Sequence, residues 1–252
     1  MRIDAHTHLG LGKGEQRAEG LLVMLEAYGI DRAVAFPAVS GLAGSPRAIA
    51  LANDYLAEAM SQHAGRIVGF ATVNPYHEEE AWREVERAAK MGLRGLKLHP
   101  PLQGFVLSDR TLLDPLFERA ARLMLPVVIH AGLRVAGLPY VLVNLADAKV
   151  LANAHSRVTF IVAHMGWGGR DSHGVADLAR DCPNVWFDTA GVNMPGLIRQ
   201  VADLGAAQRI LYGSDFPFLH PRVELLRVEL AELPADVASG VMGGNAQRLL
   251  GL

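Results

Sequence analysis

The chain has 252 residues, 50% hydrophobic and 20% charged, enough for a large buried core. Its net charge of −2 carries no basic excess, which argues against a nucleic-acid partner. A single cysteine, Cys182, excludes an intrachain disulfide and a thiolate metal cluster, so any metal site must use histidine and carboxylate.

Met-Arg-Ile-Asp-Ala-His runs directly into an apolar strand pattern, with no charged region followed by an apolar one as in a secretory leader. Apolar stretches fall short of the roughly 18 residues that suggest a membrane span. The expectation is a cytoplasmic protein with no membrane partner. Ile3 to Leu9 reads as the first strand, and Glu19 to Tyr28 as a helix ended by Gly29. Arg32 to Pro37 is a second strand. Ser45-Pro46 opens a helix to about Gln62, with Ser as N-cap and Pro at the first helical position. Ile67 to Val73 is the third strand, and an acidic start at His77 to Glu80 opens a helix to Met91.

Leu93 to His99 is the fourth strand, followed by a loop over Pro100 to Phe105 and a helix from about Asp114 to Leu123. Pro126 to His130 is the fifth strand, with helical character between about Tyr140 and Ala154; Val158 to His164 is the sixth. A helix near Val175 to Asp181 precedes strand Val185 to Asp188, and one near Gly196 to Leu204 precedes strand Arg209 to Asp215. Helices over Pro221 to Ala231, Ala235 to Val241 and Asn245 to Leu250 close the chain. Eight strands, each followed by helix, imply an α/β fold with a parallel sheet closed into a single-domain (β/α)8 TIM barrel over residues 1–252; about 250 residues is typical of that fold. An open doubly wound sheet competes, but it binds at a glycine-rich first turn, where this chain carries His-Thr-His-Leu-Gly.

Five residues stand at the ends of these strands: His6, His8, His130, His164 and Asp215. Side chains alternate along a strand, so His6 and His8 should project together into the barrel mouth while Ala5 and Thr7 face the helices. A bare His-x-His is a weak signal, strengthened here by its place on the first of eight strands. His130 and His164 each follow four apolar residues and, alone, would read as core histidines. On successive strands and at the same end as His6 and His8, they read as catalytic or metal-binding. Asp215 is either a helix cap or a metal ligand or proton acceptor. Phe216-Pro217 separates it from the next helix, and a carboxylate buried there needs a cation or strong donors. Lys97 and His99 share one strand face, with Leu96 and Leu98 on the other. Lys97 could attract a substrate carboxylate or pair with Asp4 or Asp188, and His99 could simply start a loop. Asn74 reads equally as pocket lining or turn, and Asp188 as structural. Trp167 and Phe105 could pack over the mouth, and His173 and His220 lie close enough in sequence to touch a ligand.

Ile-Asp-Ala-His-Thr-His, Val-Ile-His-Ala-Gly, Val-Ala-His-Met-Gly and Tyr-Gly-Ser-Asp-Phe-Pro resemble the successive strand ends of the amidohydrolase superfamily. More narrowly, they resemble the amidohydrolase-related branch that holds hydrolases and aminocarboxymuconate-semialdehyde-type decarboxylases. The ending Gly-Asn-Ala-Gln-Arg-Leu-Leu-Gly is similar to that branch as well, so the match spans the chain. The resemblance implies His6, His8, His130 and Asp215 as metal ligands, with Asp215 and His164 catalytic. It implies either a substrate or a second-metal role for Lys97, His99 and His164. Leu-Lys-Leu-His-Pro resembles the segment in which two-metal relatives carry a carboxylated lysine. The expected cofactor is one or two divalent ions, zinc first, with manganese, iron or cobalt as alternatives. The expected reaction is hydrolysis, in which metal-activated water attacks a small carboxylate, lactone, amide or ester. The alternative is decarboxylation of a small carboxylic acid at the same site. The partner would be a small molecule, and the apolar outer helices are compatible with a homo-oligomer.

Overall fold

A computed structural model describes residues 1–10, 16–38, 44–131, 143–166, 171–194 and 196–252. It is a (β/α)8 barrel. The strands are β1 (Ile3–Leu9), β2 (Arg32–Pro37), β3 (Ile67–Gly69), β4 (Ala71–Thr72), β5 (Leu96–Leu98), β6 (Val127–Ile129), β7 (Phe160–Val162), β8 (Val185–Asp188) and β9 (Ile210–Leu211). Neighbours pair in parallel throughout. The expected third strand is broken at Phe70 into β3 and β4. Both pieces hold one barrel position, because Phe70 N–H still donates to Ala35 O and Ala71 N–H to Gly95 O. The ring closes between β1 and the end of β9: Ala5 N–H donates to Tyr212 O at 2.8 Å, Asp215 N–H to His6 O at 2.8 Å and His8 N–H to Phe216 O at 2.7 Å.

Two apolar layers follow from alternation along buried strands. Ala33, Ala35, Leu96 and Leu98 face the helices, while Ile3, Val34, Phe36, Val68, Phe70 and Val128 fill the barrel. Ala246 and Leu250, on the last helix (Asn245–Leu250), belong to the inner layer and cap it. Ala5 also lies in that inner layer rather than toward the helices. The cause is a bulge: Asp4 pairs with Ala33 but Thr7 with Ala35, so β1 holds one extra residue and the alternation slips. Both Ala5 and His6 then face inward.

Local signals acted where their chemistry was complete. Ser45 accepts the Ala48 N–H at 3.4 Å with Pro46 in the first turn, and Gly29 ends its helix at φ 62. Other boundaries move. Pro100–Gln103 is a helical turn rather than a loop, because the His99 ring nitrogen accepts the Leu102 N–H at 3.2 Å. The helix expected from Asp114 runs over Arg110–Arg122, capped by Asp109. The helix expected from Tyr140 is Leu145–Ala154, capped by Asn144; residues 140–142 lie outside the described residues. No helix among the described residues is long and apolar enough to cross a membrane.

Candidate metal centre

All five strand-end groups meet at the C-terminal rim of the barrel. His6 and His8 project together from β1 past the bulge, with ring centroids 5.3 Å apart and both edges on the Phe36 ring. Their Nε2 atoms lie 3.4 and 3.2 Å from Asp215 Oδ1. Ligand atoms of His6, His8 and Asp215 all fall within 4.8 Å of one another. Gly213 permits this approach of the eighth strand, since a Cβ there would meet His6 Cβ at 2.7 Å. Asp215 sits at φ 55, and His164 and Met165 at φ 59 and 49. Left-handed backbone at non-glycine residues costs of order 1–3 kcal/mol each and clusters at functional sites. That conformation also explains why the sixth strand stops at Val162 instead of His164: the chain turns there and aims the imidazole inward.

Hydrogen bonds fix which nitrogen of each ring is free. His8 Nδ1 lies 3.1 Å from Pro37 O and His164 Nδ1 2.8 Å from Ala190 O. A carbonyl only accepts, so both Nδ1 atoms carry the proton and both Nε2 atoms are bare in the neutral ring. His6 Nδ1 donates to Asp188 Oδ2 at 2.8 Å with the same result. His130 Nδ1 lies 3.1 Å from His164 Nε2, so it must donate there. This leaves His130 Nε2 buried and without a partner among the described residues. The His130 ring stacks on His99 at 3.8 Å, and His130 joins the cluster through His164 rather than within the compact group of three.

Charge favours a cation at the centre. Burial, then the Lys97 charge, pulls His6 from 6.5 down to about 4, so it is neutral near pH 7. Burial likewise takes His99 to about 2 and holds His130 well below the usual imidazole range. For Asp215, burial acts to raise the carboxyl. A hydrogen bond from His8 and the positive charge of His6, His8 and His164 outweigh it where those rings are protonated, and hold Asp215 below the usual carboxylate range. Where the rings are neutral, a metal cation would supply that charge. Bare nitrogens and a carboxylate oxygen facing one another at 3.2–3.4 Å repel unless a cation lies between them. Neutral imidazoles with their far nitrogens tied to fixed acceptors are the form in which histidine binds divalent ions. The donor set therefore fits a divalent metal.

Supporting residues complete the geometry. Lys97 is wholly buried on β5, its Nζ 3.3 Å from His6 Nε2 and 4.8 Å from the Phe36 ring centre. Burial lowers it to about 8 against the attraction of Asp188 and Asp215. Asp188, read from sequence as structural, holds His6 through Oδ2, while its Oδ1 accepts the backbone N–H groups of His164 and Ala190. His6, His164 and Asp188 also lie within common ligand reach, but these bonds already occupy Asp188. Asp4 Oδ1 takes the N–H groups of His6 and Ser214, tying the first strand to the eighth, and burial raises Asp4 to about 7. Gln103 accepts the His99 N–H and donates to Val73 O. Asn74 forms a turn, accepting the Tyr76 N–H. Phe105 is buried among the helices rather than over the mouth. His220 caps a helix at Pro221–Glu229, and His173 is exposed. Trp167 lies outside the described residues.

The family model for amidohydrolases matches residues 3–252. The chain belongs to the amidohydrolase family. Among solved structures, this amidohydrolase is similar to a TIM-barrel protein from Bordetella bronchiseptica, at 18% identity and TM-score 0.80 over 99% of this chain and 98% of that one. It is similar to 5-carboxyvanillate decarboxylase from Sphingomonas paucimobilis, at 18% identity and TM-score 0.79 over 100% and 99%. It is also similar to a dihydroxybenzoic acid decarboxylase from Polaromonas, solved with manganese and 2-nitroresorcinol, at 19% identity and TM-score 0.74 over 100% and 97%. Identities this low establish the shared fold. The chemistry must be argued from the site.

Proposed function

We propose that this amidohydrolase-family enzyme decarboxylates a small carboxylic acid with the help of a divalent metal. The observation that carries the reading is the compact group of His6 Nε2, His8 Nε2 and Asp215 Oδ1 beside the buried Lys97 ammonium. His6, His8 and Asp215 would hold the ion, and the bare Nε2 of His130 is a further free donor among the described residues. Zinc suits this donor set, as does manganese, which the Polaromonas decarboxylase binds. The ion would supply Lewis-acid polarisation of a substrate oxygen.

The remaining chemistry falls to side chains. Lys97 places a positive charge deep in the mouth, suited to an anionic substrate. His164 stands opposite the ligand group, its Nδ1–H fixed on Ala190 O and its Nε2 3.1 Å from His130 Nδ1. The bond to CO2 would break with its electron pair left on the substrate carbon. That carbon would take a proton from His164 protonated at Nε2, which returns to the neutral ring with Nε2 bare and regains a proton from solvent. This order of preference reverses the sequence-based one, because two of the similar structures are decarboxylases at nearly full coverage. Hydrolysis of a lactone, amide or ester is the second reading, favoured by one feature: Asp215 is held ionised where it could take a proton from water.

The test is product analysis with the metal-loaded enzyme on a panel of small aromatic and aliphatic carboxylic acids, esters, amides and lactones. Decarboxylation releases CO2 and, in deuterium oxide, leaves one deuterium on the vacated carbon. Incorporation of heavy oxygen from labelled water without CO2 release would replace this reading with hydrolysis.

A further inference from the structure

We infer that Glu224 is a positioning residue for His164, acting through a single peptide group: it locks the turn after β8 so that Ala190 O stays on His164 Nδ1. The inference rests on reading His164 as the proton donor and adds what holds its ring. Beyond β8 the chain makes a four-residue turn, Thr189 to Val192, closed by Val192 N–H donating to Thr189 O at 3.2 Å. Gly191, third in the turn, sits at φ 65, the positive value that a type II turn requires there. Types I and II differ by a flip of the central peptide, here the one joining Ala190 to Gly191. Both ends of that peptide are held by buried side chains. Ala190 O accepts from His164 Nδ1 at 2.8 Å, and Gly191 N–H donates to Glu224 Oε2 at 2.9 Å. The approach is close: a Cβ on Gly191 would stand 3.3 Å from Leu219 Cδ1 and 3.7 Å from His164 Nδ1.

Glu224 does not cap its own helix. His220 does so for Pro221–Glu229 through the Arg222 N–H, whereas Glu224 turns inward and is 2% exposed. A carboxylate buried this way is costly unless donors meet it. Gly191 N–H is one donor. Arg227, one turn further along, brings Nε to 3.6 Å from Glu224 Oε1 while its Nη1 donates to Val192 O at 2.6 Å. The helix thus grips the turn at two successive residues. Were the central peptide to flip, Ala190 O would leave His164 and Gly191 N–H would swing toward it. A donor facing Nδ1 favours the other tautomer, with the proton on Nε2. Glu224 holds the peptide against that flip and so keeps Nε2 as the nitrogen that takes up and delivers the proton.

The experiment is nitrogen-15 NMR of zinc-loaded protein labelled at histidine, with the His164 signals identified by their loss in His164→Asn. Wild type should show the Nδ1–H tautomer. Glu224→Leu leaves Gly191 N–H without its acceptor and should shift the His164 nitrogens toward the Nε2–H form. Its kcat for decarboxylation should fall about tenfold, with KM and metal per chain unchanged. Glu224→Gln should fall between, because an amide can accept from only one of the two donors that flank it. In a His164→Asn background, Glu224→Leu should cost little more, since residues acting through one another are not additive. An Nε2–H ring in wild type, or an unchanged tautomer in both Glu224 variants, would overturn the inference. So would the full kcat loss persisting in the His164→Asn background. If Glu224→Leu does not fold by circular dichroism, Glu224→Gln carries the same readings. If no carboxylic acid loses CO2, the functional reading fails while the tautomer still decides the role of Glu224.

Discussion

The two sides of the barrel mouth are built differently. On the β1 and β9 side, His6, His8 and Asp215 bring ligand atoms within 4.8 Å, and each imidazole is braced by an acceptor behind it, Asp188 or Pro37 O. On the β5 to β7 side stand His99, His130 and His164, joined ring to ring, and Lys97, whose Nζ reaches across to His6 Nε2. The first side is rigid, rich in lone pairs and anionic. The second carries the cation and a chain of exchangeable protons. The division suggests that holding a metal and moving protons belong to separate halves, which substitutions can separate.

The largest effect is expected on the first side. Asp215→Asn removes the charge that faces both imidazoles, so metal per chain should fall well below one and activity to background. His164→Asn tests the other side, and asparagine tolerates the left-handed backbone found there. Loss of a proton-transfer group should lower kcat by about 10²–10⁴ with metal content unchanged. If His164→Asn strips the metal as Asp215→Asn does, the two halves are one ligand shell and the division fails.

Metal-free protein should reveal the cost of keeping these imidazoles neutral. His6 titrates near 4 in the folded chain against 6.5 as its ordinary value. Between these values the unfolded chain binds a proton that the folded chain refuses, so stability rises with pH. The contribution is fully present above pH 6.5 and is lost as pH falls toward 4, roughly 3 kcal/mol from His6 alone. Urea midpoints across that window should drop steeply for wild type and less for His6→Asn. Equal slopes would mean that His6 is not held neutral.

Much of the barrel was legible because parallel strands buried on both faces leave short apolar runs, and the polar residues that end those runs stand out. The convergence of His6, His8 and Asp215 followed from period-two alternation. Ala5 did not, because a bulge is a tertiary event: β1 takes an extra residue to aim His6 inward, and no single residue marks it. The left-handed turn at His164 and Met165 was equally hidden, since neither residue favours that backbone and only the surrounding packing imposes it. Asp188 is structural as expected, bonded to backbone N–H groups, but its second bond to the His6 ring was not visible in the sequence. A buried acid on a strand looks the same in sequence whether it serves stability or orients a ligand.

Asp188 is also the member that joins the two halves, and it sets the smallest effect expected at the centre. Its Oδ2 accepts from His6 Nδ1 on the ligand side, and its Oδ1 accepts the His164 backbone N–H on the proton-transfer side. Asp188→Asn preserves shape but replaces one oxygen with a donor. If the amide oxygen keeps the two backbone N–H groups, the amide nitrogen faces His6 Nδ1–H, donor against donor. The ring relieves this by moving its proton to Nε2, which is the atom needed for the metal. Metal affinity should then fall about 10–100-fold, measured by competition with a chelator, in a protein that still folds. His164 should keep its place, so kcat at saturating metal should fall less than in His164→Asn. Unchanged affinity would show that Asp188 does not set the His6 tautomer. A kcat loss as deep as that of His164→Asn would show instead that the acid mainly supports the left-handed turn.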